Sequence, residues 1–517
     1  MSSQVPPIDL SQLSPQISKH ARHKKDFKTR ISTDAKIQVN SSRRSRQIAQ
    51  EIKRKVQGSP KEIAKEIKRR VQRNQHNDKQ PQKTTPYEVQ SHTRTNTDYL
   101  HKDSLIPLSS RSYEKYSQLS PKVQAGEVSI WSCLPDEVWL SILSYLTTKE
   151  LHSFMMVCHD FNRLAQDTSL WRIISVSKME LSDAELLKIG TLRPTNLSLV
   201  QCTGTKLNGD MVTNYGLMKL FSCCGNSLTH LSVASCVLPP LSGEVALHHA
   251  ALHCSSVKVL DVSWCNLSDN DVLLIASSFK HLEHFSANGN QCLTDKSLTK
   301  LCTDLSNQLT ALHLQGCFKI SQQTLTVVSM CKNLIDLRLG LCHKLSSSHL
   351  ATSISQLHCL QVLSLKGLKQ LKDQCVISIV KHCRSIRRLY LSHCTKLTYK
   401  SLTEISCSLP ELQALDVSSC KDCVNDESVA TLITHCKRLE DLDLSSTSIT
   451  NLSLIAIGLN CLYLKELRVN FCPISDVGVK QLLNSDADAV ESVQLYGVKA
   501  VNMAELNEQF SNVKILC

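Results

Sequence analysis

The residues with the most obvious capacity for chemistry are 24 cysteines and 20 histidines in a chain of 517 residues. Thiolates and imidazoles ligate zinc, and an activated thiolate is a nucleophile. His-Cys pairs recur at His253, His358, His382, His393 and His435. A zinc site needs four ligands converging on one point, and the one Cys-x-x-Cys, Cys420-Lys-Asp-Cys423, has no second half. There is no Gly-x-x-x-x-Gly-Lys-Ser/Thr phosphate loop, no Gly-x-Ser-x-Gly elbow, no His-Glu-x-x-His helix and no paired Cys-x-x-Cys array. The reading is therefore a non-enzyme with no catalytic residue, no metal and no cofactor, and the cysteines need another explanation.

That explanation is a repeat. From about Pro194 onward the unit apolar-x-x-Leu-x-Leu-x-x-Cys recurs, as in Leu309-Thr-Ala-Leu312-His-Leu314-Gln-Gly-Cys317. About twelve copies are in register, and most follow one another at steps of 25 to 27 residues. Leu-x-Leu is a short strand with its leucines inward. After the Cys comes a helix N-cap candidate, as at Ser268-Asp269, Thr294-Asp295, Asn425-Asp426 and Ser475-Asp476, and then a helical apolar pattern such as Val272, Leu273, Ile275 and Ala276. One strand and one helix per unit bury a core only by stacking, which gives a curved solenoid with its strands on the concave side. Cys202, Cys236, Cys265, Cys317, Cys342, Cys394, Cys420 and Cys472 share one corner of the unit, where Asn290 substitutes. Cys254, Cys331, Cys383, Cys436 and Cys461 share a helix-end core position. The thiols are expected to be structural and reduced.

Charge divides the chain at the same place as composition. Residues 1–130 hold 26 Lys and Arg against 12 Asp and Glu, a net of +14, whereas the whole chain carries +13. All 24 Cys and all 4 Trp follow residue 130. A basic, mostly disordered tail (1–128) thus precedes a near-neutral folded body. Within the tail, residues 46–57 recur as 61–72, each with an apolar stripe at helical spacing (Ile48, Ile52, Val56; Ile63, Ile67, Val71). The clusters Lys53-Arg54-Lys55 and Lys68-Arg69-Arg70 resemble a bipartite nuclear import signal. No secretory signal and no run of 18 apolar residues is present, so a cytoplasmic or nuclear location without membrane contact is expected. A nucleic-acid partner is not expected either.

Between tail and repeats, residues 129–176 read as short helices. Pro135 suits a helix start, Val138, Ile142, Leu143 and Leu146 form one apolar face, Leu151, Phe154, Met155 and Cys158 a second, and Phe161, Leu164 and Leu170 a third. This segment resembles an F-box. It carries Leu-Pro-x-Glu (Leu134, Pro135, Glu137), Ile-Leu-x-x-Leu (Ile142, Leu143, Leu146), Val-Cys-x-x-Phe (Val157, Cys158, Phe161) and Asp-x-x-Leu-Trp (Asp167, Leu170, Trp171). The repeats at 177–517 look like ribonuclease-inhibitor-like, cysteine-containing leucine-rich repeats. Together they resemble the F-box and leucine-rich-repeat family, an α/β fold of a small three-helix F-box followed by a solenoid.

The resemblance implies a substrate receptor of a ubiquitin ligase. The F-box would dock on the Skp adaptor, which bridges to a cullin and a RING protein, and the repeats would bind the protein to be ubiquitinated. Adaptor-facing residues would be Leu134, Pro135, Glu137, Val138, Ile142, Leu143, Leu146 and Leu151. Substrate contacts should come from residues pointing out of the concave face: Trp264, His313, Arg338, Tyr390, His393, Arg468 and Phe471, with Lys366, Asp416, Asp443 and Tyr496 beside them. Trp264 and Phe471 occupy equivalent repeat positions. The alternative is a leucine-rich-repeat scaffold or inhibitor that uses its F-box in a non-degradative assembly.

Overall fold

The computed structural model describes residues 135–146, 148–155, 157, 159–204, 211–485, 489–498 and 502–516. The basic tail with its segments 46–57 and 61–72, and Leu134 and Cys158, lie outside them. Three short helices come first: α1 (Asp136–Leu143), α2 (Thr148–Met155) and α3 (His159–Ala165). By packing, Ser141–Leu146 belongs to one unit, while the start of α1 and everything from α2 onward belong to another. In the first unit Ile142, Leu143 and Leu146 are buried, and Ser144 Oγ donates to the Ser141 carbonyl at 2.8 Å as the helix ends.

In the second unit fourteen described strands form one parallel sheet in strict sequence order, from Ile173–Ser177 to Lys514–Leu516. Parallel neighbours require a crossover, and the repeat's helix supplies it. The register aligns the first leucine of each Leu-x-Leu: Leu312, Leu337, Leu363 and Leu389 are mutually paired and buried. Strands lie about 4.8 Å apart and packed helices about 8–10 Å, so the stack curves with its strands inside. The expected N-caps are in place. Ser268, Thr294, Asn425 and Ser475 each precede a helix, and Val272, Ile275 and Ala276 are buried in the first of these.

The corner is built by backbone geometry. In each of the twelve repeats the residue before the corner has φ between 55° and 74°, including Trp264, Leu341, His393 and Phe471. That conformation turns its N–H toward the next repeat, where Trp264 donates to the Asn288 carbonyl at 2.7 Å and Phe471 to that of Tyr496 at 2.8 Å. Trp264, His393 and Phe471 are therefore turn residues on the rim of the sheet, not strand residues as their spacing suggested. The left-handed turn re-aims them where a strand's simple alternation would not.

The corner thiols then bond backward. Cys236 Sγ donates to Leu199 O at 2.8 Å, Cys265 to Val233 O at 3.1 Å, Cys342 to Leu314 O at 3.1 Å and Cys420 to Leu391 O at 3.2 Å. Asn290 uses its amide in the same way toward Val262 O at 2.9 Å. Burial pushes the Cys236 and Cys342 thiols up to about 12, far from a thiolate. Cys292, Cys359 and Cys407 are exposed exceptions.

The aspartates that follow the N-caps do work that spacing did not disclose. Asp295 Oδ1 and Oδ2 accept the N–H and hydroxyl of Ser321, the next repeat's N-cap, at 2.8 and 2.7 Å, and also the Thr324 hydroxyl at 2.6 Å. Asp269 holds Thr294, Asp373 holds Thr398 and Asp426 holds Thr450 alike. Each carboxylate caps its neighbour's helix and locks one repeat to the next.

Candidate docking surfaces

The helical segment is organised around three rings. Trp139 is 2% exposed, and its ring centroid lies 6.0 Å from Phe154 and 5.1 Å from Phe161, which stack on each other at 4.1 Å. This draws α1, α2 and α3 together through aromatic area rather than through many aliphatics. Val138, expected on the apolar face, is instead exposed, because Trp139 is the residue turned toward the ring stack. Arg163 grips Asp136 with two bonds of 2.8 and 3.0 Å and holds that carboxyl below its ordinary range. Both side chains are exposed, so the pair orients α1 on α3 more than it stabilises them. Asp167 caps the turn Thr168–Trp171 by accepting from Ser169 N–H at 2.9 Å. Trp171 is buried, with Nε1 donating to the Ala165 carbonyl at 2.6 Å. Of the expected adaptor residues, Pro135 and Glu137 are exposed like Val138, whereas Ile142, Leu143, Leu146 and Leu151 are buried.

On the sheet face, one polar cluster spans three adjacent strands. His284 Nε2 lies 3.4 Å from His313 Nδ1, and His313 Nε2 lies 3.1 Å from Asp336 Oδ2. Arg338 forks onto Asp336 at 3.0 and 2.8 Å. His313, expected to meet a partner, is thus buried in an internal network. Burial, with His313 beside it, pushes His284 down to about 4, so its ring is neutral near pH 7. Burial alone would raise Asp336, but His313 and Arg338 outweigh it and hold the carboxyl at about 2.

A depressed carboxylate contributes stability above its unfolded value near 4 and loses it as pH falls toward 2. Asp336→Asn should therefore melt lower than the parent at pH 6, by roughly 2 kcal/mol, and the gap should narrow to less than half of that at pH 2.5. Parallel melting curves of the two proteins across that range would show this; a constant gap would not fit.

Farther along, Lys366 Nζ reaches Asp416 at 2.6 Å and sits 5.0 Å from the centre of the Tyr390 ring. Arg468 bridges Asp441 at 2.6 Å and Glu466 at 2.7 Å. Arg338, Lys366 and Arg468 are therefore engaged within the face, while Trp264, His393 and Phe471 stand exposed on its rim. Trp264 lies across Gly289 and Phe471 across Gly497, so close that an added Cβ would come within 2.2 Å of either ring. Leu341 lies across Gly367 in the same manner, is 45% exposed, and was not anticipated. The signal that would have found it is a bulky residue before the corner followed, one repeat later, by glycine. No group of three or more His, Cys, Asp or Glu among the described residues is arranged to hold a metal ion.

Comparison with known families bears on both surfaces. A model described as F-box-like matches residues 131–177, and one described as leucine-rich repeat matches residues 253–276 and 460–483. The chain joins an F-box-like segment to leucine-rich repeats. It is similar to F-box/LRR-repeat protein 12 of Mus musculus, 24% identical over 266 residues, covering 50% of this chain and 71% of that one. The Homo sapiens protein of the same name is 24% identical over 260 residues, with the same two shares. Among solved structures, a chain of the yeast Rad7 and Elc1 complex superposes with a TM-score of 0.52 at 18% identity, covering 77% of this chain and 95% of that chain. This likeness is one of fold. The F-box-like match ends at the last residue of the first sheet strand, Ile173–Ser177, so the F-box-like segment runs directly into the sheet.

Proposed function

We propose that the chain is the substrate-recognition subunit of a Skp-cullin-F-box ubiquitin ligase. The F-box-like segment binds the Skp adaptor, and through it a cullin and a RING protein. The leucine-rich repeats bind the protein to be ubiquitinated. The observation that carries this reading is the F-box-like segment built on the Trp139, Phe154 and Phe161 stack and followed at once by the repeat sheet. The chain's part in catalysis is to raise the effective concentration of a substrate beside a charged ubiquitin carrier, with no reacting side chain of its own. The location that suits such an assembly is the cytoplasm or nucleus.

The test is co-purification of the full chain with recombinant Skp adaptor and cullin, beside a Leu134→Ala/Pro135→Ala variant. Stoichiometric capture by the parent and at least tenfold weaker capture by the variant are expected, with equal melting of the repeats in both. A folded parent that captures no adaptor would overturn the proposal.

A further inference from the structure

We infer that the sheet face of the last repeats binds a basic segment of the substrate, seating a lysine or arginine between Asp443 and the aromatic rim of Phe471 and Tyr496. This rests on the reading that the repeats choose the substrate. Four carboxylates stand on three neighbouring strands: Asp416 on Ala414–Asp416, Asp441 and Asp443 on Asp441–Asp443, and Glu466 on Glu466–Arg468. Three of them have cations, since Lys366 takes Asp416 and Arg468 takes Asp441 and Glu466.

Asp443 is the exception. It is in register with Asp416 on one side and Arg468 on the other, yet makes no ion pair among the described residues. Its Oδ1 accepts the Ser445 N–H at 3.0 Å. Burial, with the neighbouring Asp416 adding to it, pushes its carboxyl up by more than the Ser445 bonds and the charge of Arg468 pull it down. The neighbouring Arg468 is bonded to Asp441 and Glu466 instead, so this half-buried carboxylate is held at a cost without a direct ion pair, and an incoming cation would recover it.

A second arrangement points to the same ligand. Ser445 Oγ accepts the Asn470 N–H at 3.1 Å, and Asn470 Oδ1 accepts the Tyr496 N–H at 2.8 Å. These bonds fix the two turns that carry Phe471, 65% exposed, and Tyr496, 42% exposed. Phe471 is further pinned across Gly497, which leaves its outer ring face to solvent. A carboxylate near fixed, exposed ring faces complements the charge and the alkyl stem of Arg or Lys, and it repels an acidic segment.

The experiment uses the full chain and two labelled probes, acetyl-(Gly-Arg)4-amide and acetyl-(Gly-Glu)4-amide, followed by fluorescence anisotropy. The arginine peptide should bind and the glutamate peptide should not. Asp443→Asn should weaken binding about tenfold, the range of one charge-assisted contact. Phe471→Ala should weaken it roughly threefold, and Asp422→Asn, an exposed charge on another loop, should leave it unchanged. Asp443→Asn should melt no lower than the parent, which separates lost binding from lost folding. Equal binding by the Asp443→Asn and Asp422→Asn proteins, or equal binding of both peptides, would overturn the inference. Adaptor capture measured on the same preparations keeps the two readings apart. Capture without Asp443-dependent peptide binding removes only the basic-segment site, and peptide binding without capture removes only the ligase assignment.

Discussion

Trp139→Ala is expected to unfold the helices between Asp136 and Ala165 while the repeats remain folded. The indole is 2% exposed and touches the rings of both other helices, at 6.0 Å from Phe154 and 5.1 Å from Phe161. Removing a buried Trp costs about 3–5 kcal/mol, and three helices of seven or eight residues cannot carry that loss on their own core. The repeats have a separate reserve, because every strand but the first and last is flanked by two others and several helices have their N-caps held by an aspartate of the preceding repeat. Hydrogen exchange should show protection lost across residues 136–165 and kept across the sheet strands. Adaptor capture should disappear with it. Protection lost in both regions would mean that the segment and the repeats unfold as one.

Asn290→Ala should destabilise the repeats by about 3 kcal/mol, more than Cys→Ala at the equivalent corners. Asn290 is fully buried and makes three bonds across two repeats. Its Oδ1 accepts the Leu267 N–H at 2.9 Å, and its Nδ2 donates to Val262 O at 2.9 Å and Ala287 O at 3.0 Å. Alanine strands a buried N–H and buried carbonyls, and each orphan costs about 1–3 kcal/mol. A corner cysteine offers one weak thiol donor, so its loss should cost about 1 kcal/mol. Asn290→Cys should fall between, because it restores the bond to Val262 but not the acceptor for Leu267. Urea unfolding of Asn290→Ala, Asn290→Cys and Cys317→Ala would rank the three. Equal losses for Asn290→Ala and Cys317→Ala would show that the corner tolerates orphaned polar groups.

Much of this architecture is legible in the order of residues, and the reason is repetition. One turn or one cap is weak evidence, but a corner residue recurring at steps of 25 to 27 residues states the strand, the turn and the helix together. The caps at Ser268, Thr294, Asn425 and Ser475 and the buried corner thiols followed from that spacing. The surfaces were less legible. Spacing put Trp264, His393 and Phe471 on strands, whereas a positive φ carries them to the rim. It offered His313 to a partner, whereas Asp336 and His284 enclose it. It placed Val138 on an apolar face that Trp139 occupies instead.

Periodicity and short motifs are local properties of the chain, so the class of fold, the repeat length, the inward residues and the F-box pattern can be read from the order of residues. Which outward residues remain available depends on how the repeats pack. Arg338, Lys366 and Arg468 look alike as free cations along the chain, but carboxylates within two strands of each take them. Asp443, with nothing in one dimension to distinguish it from Asp416, is left without an ion pair among the described residues, and its partner Ser445 accepts the N–H of Asn470, the residue before Phe471. Many of the partners that neutralise a side chain lie on other repeats, as Asp441 does for Arg468 one strand away and Asp416 for Lys366 two strands away, and are distant in sequence but close in space.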